Sequence, residues 1–422
     1  MAAVDDAQPE TRHATIVGAG PAGLMAAEAL ADAGFAVTVF EHKRSVGRKF
    51  LLAGRGGLNI THSEPIEAFN ARYGNAAGHL DPALADFTPS DLRAWCLALG
   101  EPTFIGSSGR VFPDSFKATP LLRAWLTRLK SQGVEFRTGQ RWLRFNPTSS
   151  GCTSIFTDTD DTEVTVSADV TVMALGGASW PRVGSDGGWV TAFRSAGIAI
   201  EDLEPANSGV QLRWSARFSE QFEGEPVKNV AIAVGDNVVR GDLTITKRGL
   251  EGGPVYAQSS DIRLQLAAGS ASLIIDLSPD LSIDQLSRRL DKRRPKSSAS
   301  TWLRGAGFSP VEIGLLREAT DNRLPDTASE VAELAKATPL RLEAMMPIDR
   351  AISSAGGVAW AEVDDGLMLH NLPGIFVAGE MLDWEAPTGG YLLQACFSTA
   401  VRAAEGARTW VSRRSSETPQ IH

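Results

Sequence analysis

Gly18-Ala19-Gly20-Pro21-Ala22-Gly23 follows a short apolar run, Ala14 to Val17, and leads into a helical pattern from Leu24 to Ala33. The spacing is GxGxxG, and each glycine has its own task. Gly18 permits a tight turn, Gly20 lets a diphosphate approach the backbone, and Gly23 lets helix and strand pack closely. Unpaired N–H groups and the dipole at the helix N-terminus, around Pro21 and Ala22, favour the anion. A second apolar run, Ala36 to Phe40, ends at Glu41, 23 positions after Gly18, where a carboxylate can accept both hydroxyls of an adenosine ribose. An acid there argues against a 2′-phosphate, so the expected dinucleotide is FAD or NAD and not NADP.

The rest of the glycine pattern decides between them. Gly47-Arg48-Lys49 follows Glu41 closely, and Gly54-Arg55-Gly56-Gly57-Leu58-Asn59 then offers close backbone approach and consecutive N–H groups to a bulky cofactor. Far along the chain, Phe376-Val377-Ala378-Gly379-Glu380 is a strand ending in glycine and a carboxylate, and Thr388-Gly389-Gly390-Tyr391 opens a long helix. Two glycine-bounded helix N-termini at opposite ends of the chain suit one extended ligand, one for its diphosphate and one for its isoalloxazine. That geometry is a flavin's. Asp383, Glu385 and Tyr391 are the candidates for proton transfer on the substrate side, and Trp180 is a candidate wall of the pocket. No second GxGxxG occurs, so a nicotinamide donor must dock transiently in the flavin cleft.

The elements that position these residues form an α/β chain. Its 422 residues are 43% hydrophobic and 22% charged, which excludes a disordered chain and, at roughly 100–200 residues per domain, allows two to four domains. The formal charge of -9 repels phosphate polymers, so nucleic acid would need a local basic patch. Three cysteines, Cys96, Cys152 and Cys396, have no paired spacing, and six histidines are scattered singly, so no metal site and a reducing compartment are expected. Met1 to Arg12 is polar and acidic, and no apolar run reaches the roughly 18 residues of a membrane span, so a cytoplasmic protein is expected.

Helical patterns dominate from Ser63 to Leu129, and strands from Val134 to Leu175, with polar turns at Asn146 to Gly151 and Asp158 to Asp161. Residues 197–347 read as an insert, with strands such as Val227 to Val234 and Leu273 to Leu277 giving way to short helices between Ile283 and Lys336. The insert carries the only dense basic cluster, Arg288 to Lys296, either a solvated helix face or a contact for an anionic partner. From Gly374 the α/β grammar returns, with a strand at Ile375 to Ala378 and a helix from Tyr391 to Arg408.

Five stretches in order carry a resemblance: Val17 to Gly23; Gly47 to His62; Arg110-Val111-Phe112-Pro113-Asp114-Ser115-Phe116-Lys117-Ala118; Ala174-Leu175-Gly176-Gly177-Ala178-Ser179-Trp180-Pro181; and Ala355 to Val358 leading to Gly379-Glu380-Met381-Leu382-Asp383 and Thr388 to Tyr391. With these the chain resembles the BaiN/RdsA (YhiN-like) family of FAD-dependent oxidoreductases, which includes aminoacetone-oxidase-like enzymes. The resemblance implies a Rossmann-like FAD domain built from both chain ends, residues 1–196 and 348–422. The insert, 197–347, would then be a small β-barrel with a helical piece at about 280–338. Glu380 resembles the carboxylate that holds ribityl hydroxyls in such folds. The cofactor set is read as Gly18, Gly20, Pro21, Ala22, Gly23, Glu41, His42, Gly47, Arg48, Lys49, Gly54, Gly56, Gly57, Asn59, Trp142, Ala174, Gly176, Gly177, Gly379, Glu380, Gly389, Gly390 and Tyr391. Three positions depart from the family. Leu58 stands where a cysteine is commoner, which excludes thiol chemistry there, and Leu175 and Leu392 replace a usual threonine and asparagine.

What the resemblance implies for activity is hydride transfer through flavin N5, foremost the reduction of an activated C=C bond at the expense of NAD(P)H. Its other members imply an amine oxidase using oxygen or a reducer of a ribosomal RNA uridine. A non-catalytic flavin-binding module is the reading from a different class. A small-molecule substrate is expected over RNA, and the oligomeric state is not legible.

Overall fold

A computed structural model describes residues 11–148, 151–293 and 296–417. Most of the polar stretch Met1 to Arg12, the tip of the Asn146 to Gly151 turn, and Arg294 and Pro295 of the basic cluster lie outside the described residues. The chain divides into two compact units, Met1–Glu204 with Ser354–His422, and Pro205–Ser353. The divisions fall a few residues beyond the expected 197 and 347. There the chain runs through strands Ile200–Ala206 and Ser353–Val358, so no change of composition marks the boundary.

The first unit is built on a five-stranded sheet ordered Ile375–Val377, Val170–Met173, His13–Val17, Ala36–Glu41, Glu135–Thr138, each pair parallel. Val170–Met173 and Ile375–Val377 are buried along their whole length, as strands of a parallel sheet covered on both faces must be. From the central strand the chain first builds one side of the sheet and later the other, which leaves a switch point beside Gly18, where open α/β sheets bind ligands. The helix after Gly18 spans Pro21–Asp32 and starts three residues earlier than expected, because proline suits a first helical position where its missing N–H is not needed. The final helix, Tyr391–Glu417, runs past the expected Arg408 and packs along this first helix.

A buried carboxylate fixes that first helix from behind. Glu28 accepts hydrogen bonds from the indole N–H groups of Trp95 and Trp125 and from Arg128 Nη1 at 2.9 Å, tying the helix to Pro89–Ala98 and Ala118–Ser131. The region expected to be mainly helical also holds the strands Thr103–Ile105 and Arg110–Pro113, which pair in a three-stranded sheet with Thr61–His62 just before it. Strands of two to four residues are too short to show a period of two in sequence.

The second unit is a seven-stranded antiparallel sheet. Its edge strands, Thr338–Leu342 and Ala344–Met345, are consecutive in the chain through Glu343, so the sheet closes on itself as a small barrel. Four helices follow one another between residues 283 and 336, opened by Ser282, Ser298, Ser309 and Thr327, whose hydroxyls accept the backbone N–H three residues on.

Candidate functional site

The glycine turn separates into positions the protein needs and one it does not. Gly18 has φ +102°, and a Cβ there would lie 2.3 Å from Ala174 O; a Cβ on Gly23 would lie 1.8 Å from Gly18 O. Gly20 has no atom within 4 Å of where its Cβ would be, and no side chain caps the helix it opens. Its bareness serves nothing inside the protein and leaves room for a ligand at the open N–H groups.

Glu41 lies at the end of the neighbouring strand, as expected. Its carboxylate accepts N–H groups from Ala19 at 3.1 Å and Lys43 at 2.8 Å, and His42 Nδ1 lies 3.2 Å from it. Burial pushes the carboxyl up, but the bonds from His42, Lys43 and Ala19 outweigh it and hold Glu41 below the usual carboxylate range. Each oxygen retains capacity for a further donor. His42 Nε2 and the buried Trp142 Nε1 have no protein partner, and both residues line one small pocket with Gly18, Phe40, Leu175 and Trp189. An aromatic-walled pocket with two orphaned ring nitrogens beside an ionised carboxylate fits the adenosine end of FAD.

The middle of the site joins both ends of the chain. Lys49 Nζ donates to Glu380 Oε2 and to Ser179 Oγ, each at 2.7 Å, while Glu380 Oε1 accepts the Ser354 N–H at 3.0 Å. Gly379 has φ +75° and lies so near Ala22 that a Cβ would be 2.7 Å from that methyl. Beside Gly176 the Ser185 hydroxyl is buried without a partner, and Glu380 Oε2 is 4.0 Å from the place of a Gly176 Cβ. A hydroxyl that can donate or accept, beside a carboxylate that accepts, is the pair that ribityl hydroxyls need. Ala174 closes the strand, its N–H donating to Val17 O. Gly47 donates its N–H to Ala19 O, whereas Arg48 is exposed and bonds Ser45.

The third group surrounds Tyr391. Gly390 packs on Thr61, where a Cβ would meet the Thr61 backbone at 2.5 Å, and Gly57 lies under the ring of Phe116. Gly54 is pressed on Ala118, while Gly56 has open space. Asn59 Nδ2 donates to Thr61 O at 2.8 Å, which leaves Asn59 Oδ1 and the Thr61 hydroxyl buried without partners. The Tyr391 hydroxyl donates to Glu64 Oε1, Arg72 pairs with Glu64 Oε2 at 2.8 Å, and the His62 ring stacks on Tyr391 with centroids 5.4 Å apart. Burial and the Glu64 carboxylate push the Tyr391 phenol well above its usual range, while the Arg72 guanidinium holds Glu64 below the usual carboxylate range. His62 Nδ1 accepts the Glu64 N–H at 3.2 Å, so its proton sits on Nε2, 2.9 Å from Ser108 O.

Asp383 and Glu385 fall in a different group. The charges facing Asp383 are Glu201, Glu385 and His79; burial, with the two acids, pushes its carboxyl up. Trp360 stacks on His79 and donates its indole N–H to Asp383 O at 2.6 Å. Trp180 is not a core residue, being 37% exposed with φ +62°. Burial pushes the Cys396 thiol up to about 12. Sequence reasoning did not single out Glu64, Arg72, Ser185 or Ser354; only the topology brings them to the site. Among the described residues no cluster could hold a metal ion, and no helix is long and apolar enough to cross a membrane.

A parallel sheet with glycine turns and an ionised carboxylate at its C-terminal edge defines a Rossmann-like dinucleotide-binding fold. Residues 12–406 match the HI0933-like protein Rossmann domain, and the chain belongs to that family. A 3-dehydro-bile acid delta(4,6)-reductase of Clostridium scindens is 29% identical over 93% of this chain and 98% of its own. A ribosomal RNA dihydrouridine synthase of Escherichia coli is 25% identical over 94% and 98%. Among solved structures, 3-ketosteroid delta1-dehydrogenase from Sterolibacterium denitrificans superposes with a TM-score of 0.53 at 11% identity, over 95% of this chain and 100% of that one. A flavocytochrome c3 fumarate reductase gives 0.50 at 14%, over 96% and 79%. The chain is therefore an FAD-dependent oxidoreductase.

Proposed function

We propose that the protein saturates a carbon–carbon double bond conjugated with a carbonyl in a small molecule, with NAD(P)H as the electron source. Bound flavin supplies hydride to the electron-poor carbon. The other carbon needs a proton, and the Tyr391 hydroxyl, held on Glu64 with Arg72 paired to the same carboxylate, is the observation that carries this reading. That hydroxyl stays protonated through the neutral range, held in place by Glu64, which Arg72 keeps ionised. Glu64 thus orients the phenol and does not compete as an acid. When the phenol gives up its proton, Arg72, 6.0 Å from the ring centroid, offsets the new charge. The stacked His62 ring, locked in one tautomer, fixes the plane of Tyr391.

The relatives' names support the reaction class, since one is a reductase at delta(4,6) and the other makes dihydrouridine; both names describe loss of a double bond. The charge of -9 supports a small molecule over RNA. So does Arg293 of the basic cluster, which is spent on the Trp302 ring at 4.3 Å and on Asp326 O. The test is Tyr391→Phe assayed with 2-cyclohexenone. Loss of a general acid lowers kcat by about 10²–10⁴-fold, while flavin content and the rate at which NAD(P)H bleaches the flavin are kept. Enone turnover equal to that of the unaltered protein removes Tyr391 as the donor, and an unaltered protein that does not turn over the enone removes the reading.

A further inference from the structure

Leu58 and Ile60 are fully buried in the apolar core, and the Ile60 N–H bonds Val111 O at 3.0 Å, so the chain runs extended into strand Thr61–His62. Asn59 and Thr61 alternate with them and project to the opposite side. Asn59 spends both amide hydrogens on backbone carbonyls, Thr61 O at 2.8 Å and Val111 O at 3.1 Å. Those two oxygens would repel the amide's own oxygen, which fixes the orientation of the group and leaves Oδ1 as a pure acceptor directed elsewhere. Oδ1 is buried without a protein partner. The Thr61 hydroxyl is in the same state, on a residue with no exposed surface. Buried polar atoms are costly to leave unmatched, and two of them on neighbouring side chains mark a place made for a polar ligand.

An acceptor and a hydroxyl that can donate match a ring N–H flanked by a carbonyl, the edge of a cyclic imide. The isoalloxazine of oxidised FAD carries one ring N–H, at N3, with a carbonyl on either side. Glu41 and Glu380 suit the adenosine and ribityl parts, which leaves the isoalloxazine for the group around Tyr391. Gly390 presses on the Thr61 backbone at the start of the helix Tyr391–Glu417, and Gly56 in the preceding loop has no atom within 4 Å of the place of a Cβ. We propose that Asn59 Oδ1 accepts the imide N–H of the flavin and that the Thr61 hydroxyl donates to a carbonyl beside it, which makes Thr61 a residue that sets the flavin's reduction potential. Reduction loads the ring with electron density and strengthens a hydrogen bond donated to its carbonyls, so Thr61 favours the reduced form. This role rests on bound FAD and not on the enone reading. A uracil presents the same imide, but both protein atoms are enclosed, as suits a resident group rather than a substrate that must leave.

Thr61→Val keeps the shape of the side chain and removes the hydroxyl. In the FAD-loaded variant, measured anaerobically against a reference dye, preference for reduced over oxidised FAD should drop about tenfold, which lowers the potential by ~30 mV for a two-electron couple. Thr61→Ser should keep the potential of the unaltered protein. A loaded Thr61→Val protein with an unchanged potential overturns the role. The second arm needs no substitution: N3-methyl-FAD, which lacks the imide hydrogen, should bind the stripped protein at least tenfold more weakly than FAD. Equal affinities overturn the contact with Asn59, even where Thr61→Val does not fold. Uridine added to the loaded protein separates the two imides. Uridine affinity that falls in Thr61→Val while the potential stays unchanged gives the pair to a substrate and takes it from the cofactor. None of these measurements turns over an enone, so their failure is distinguishable from failure of the reduction reading.

Discussion

Lys49 and Glu380 stand 331 positions apart in the chain and meet with Nζ 2.7 Å from Oε2, the lysine two positions after Gly47 in the short helix Arg48–Ala53 and the glutamate just after the last sheet strand. The pair is mostly shielded, with side chains 26% and 12% exposed, so removing one partner strands a charge. Glu380→Gln and Lys49→Met should each cost about 1–3 kcal/mol. In a double-mutant cycle by urea unfolding the two should couple by about 1 kcal/mol. Additive effects would mean that the contact contributes nothing.

The glycine turn gives a sharper separation of fold from ligand. Gly18→Ala and Gly23→Ala should destabilise the flavin-free protein by more than about 2 kcal/mol, because their Cβ atoms would collide with backbone carbonyls. Gly20→Ala should change flavin-free stability by less than about 0.5 kcal/mol, yet lower FAD affinity at least tenfold. Thermal melts of stripped protein and fluorescence titration with FAD read the two effects; a Gly20→Ala protein that binds FAD normally would take the diphosphate away from this turn.

This turn is also where the sequence was most legible, because GxGxxG, Pro21 and Glu41 are local signals whose spacing the chemistry sets. The parallel sheet and the last helix could be read for the same reason. Less could be read of the short strands Thr61–His62 and Thr103–Ile105, which are too brief for a pattern, or of the Glu64 and Arg72 contacts with Tyr391, since Glu64 and Tyr391 lie 327 positions apart. Asp383 and Glu385 were legible as loop acids, but the groups that surround Asp383, Glu201 and His79 among them, come from distant parts of the chain.

Glu64 provides a pH test. Arg72 lowers its pKa in the folded state, so the stabilisation is present above the unfolded value of about 4.3 and is lost as pH falls through the lower folded value. Arg72 is half exposed and water screens the pair, so the loss should be roughly 0.5–1 kcal/mol between pH 5 and 3. Glu64→Gln should flatten that part of the stability profile in urea unfolding. A parallel profile would show that the pair does not stabilise the fold.

The basic cluster tests the choice of substrate. Arg288 and Arg289 are exposed on a helix that buries Leu286 and Leu290. Neutralising both should leave enone turnover and flavin content unchanged, with no loss of a dihydrouridine from ribosomal RNA in cells carrying the variant. Loss of that nucleotide, with a shallower salt dependence of RNA binding in vitro, would favour RNA instead.

The central claim is the direction of electron flow, and anaerobic stopped-flow mixing tests it most directly. NADH or NADPH should bleach the flavin of the purified yellow protein, and a subsequent push of 2-cyclohexenone should restore the colour without oxygen and yield cyclohexanone. Bleaching by an amine alone, with colour restored by oxygen and not by the enone, would contradict the account and make the protein an oxidase.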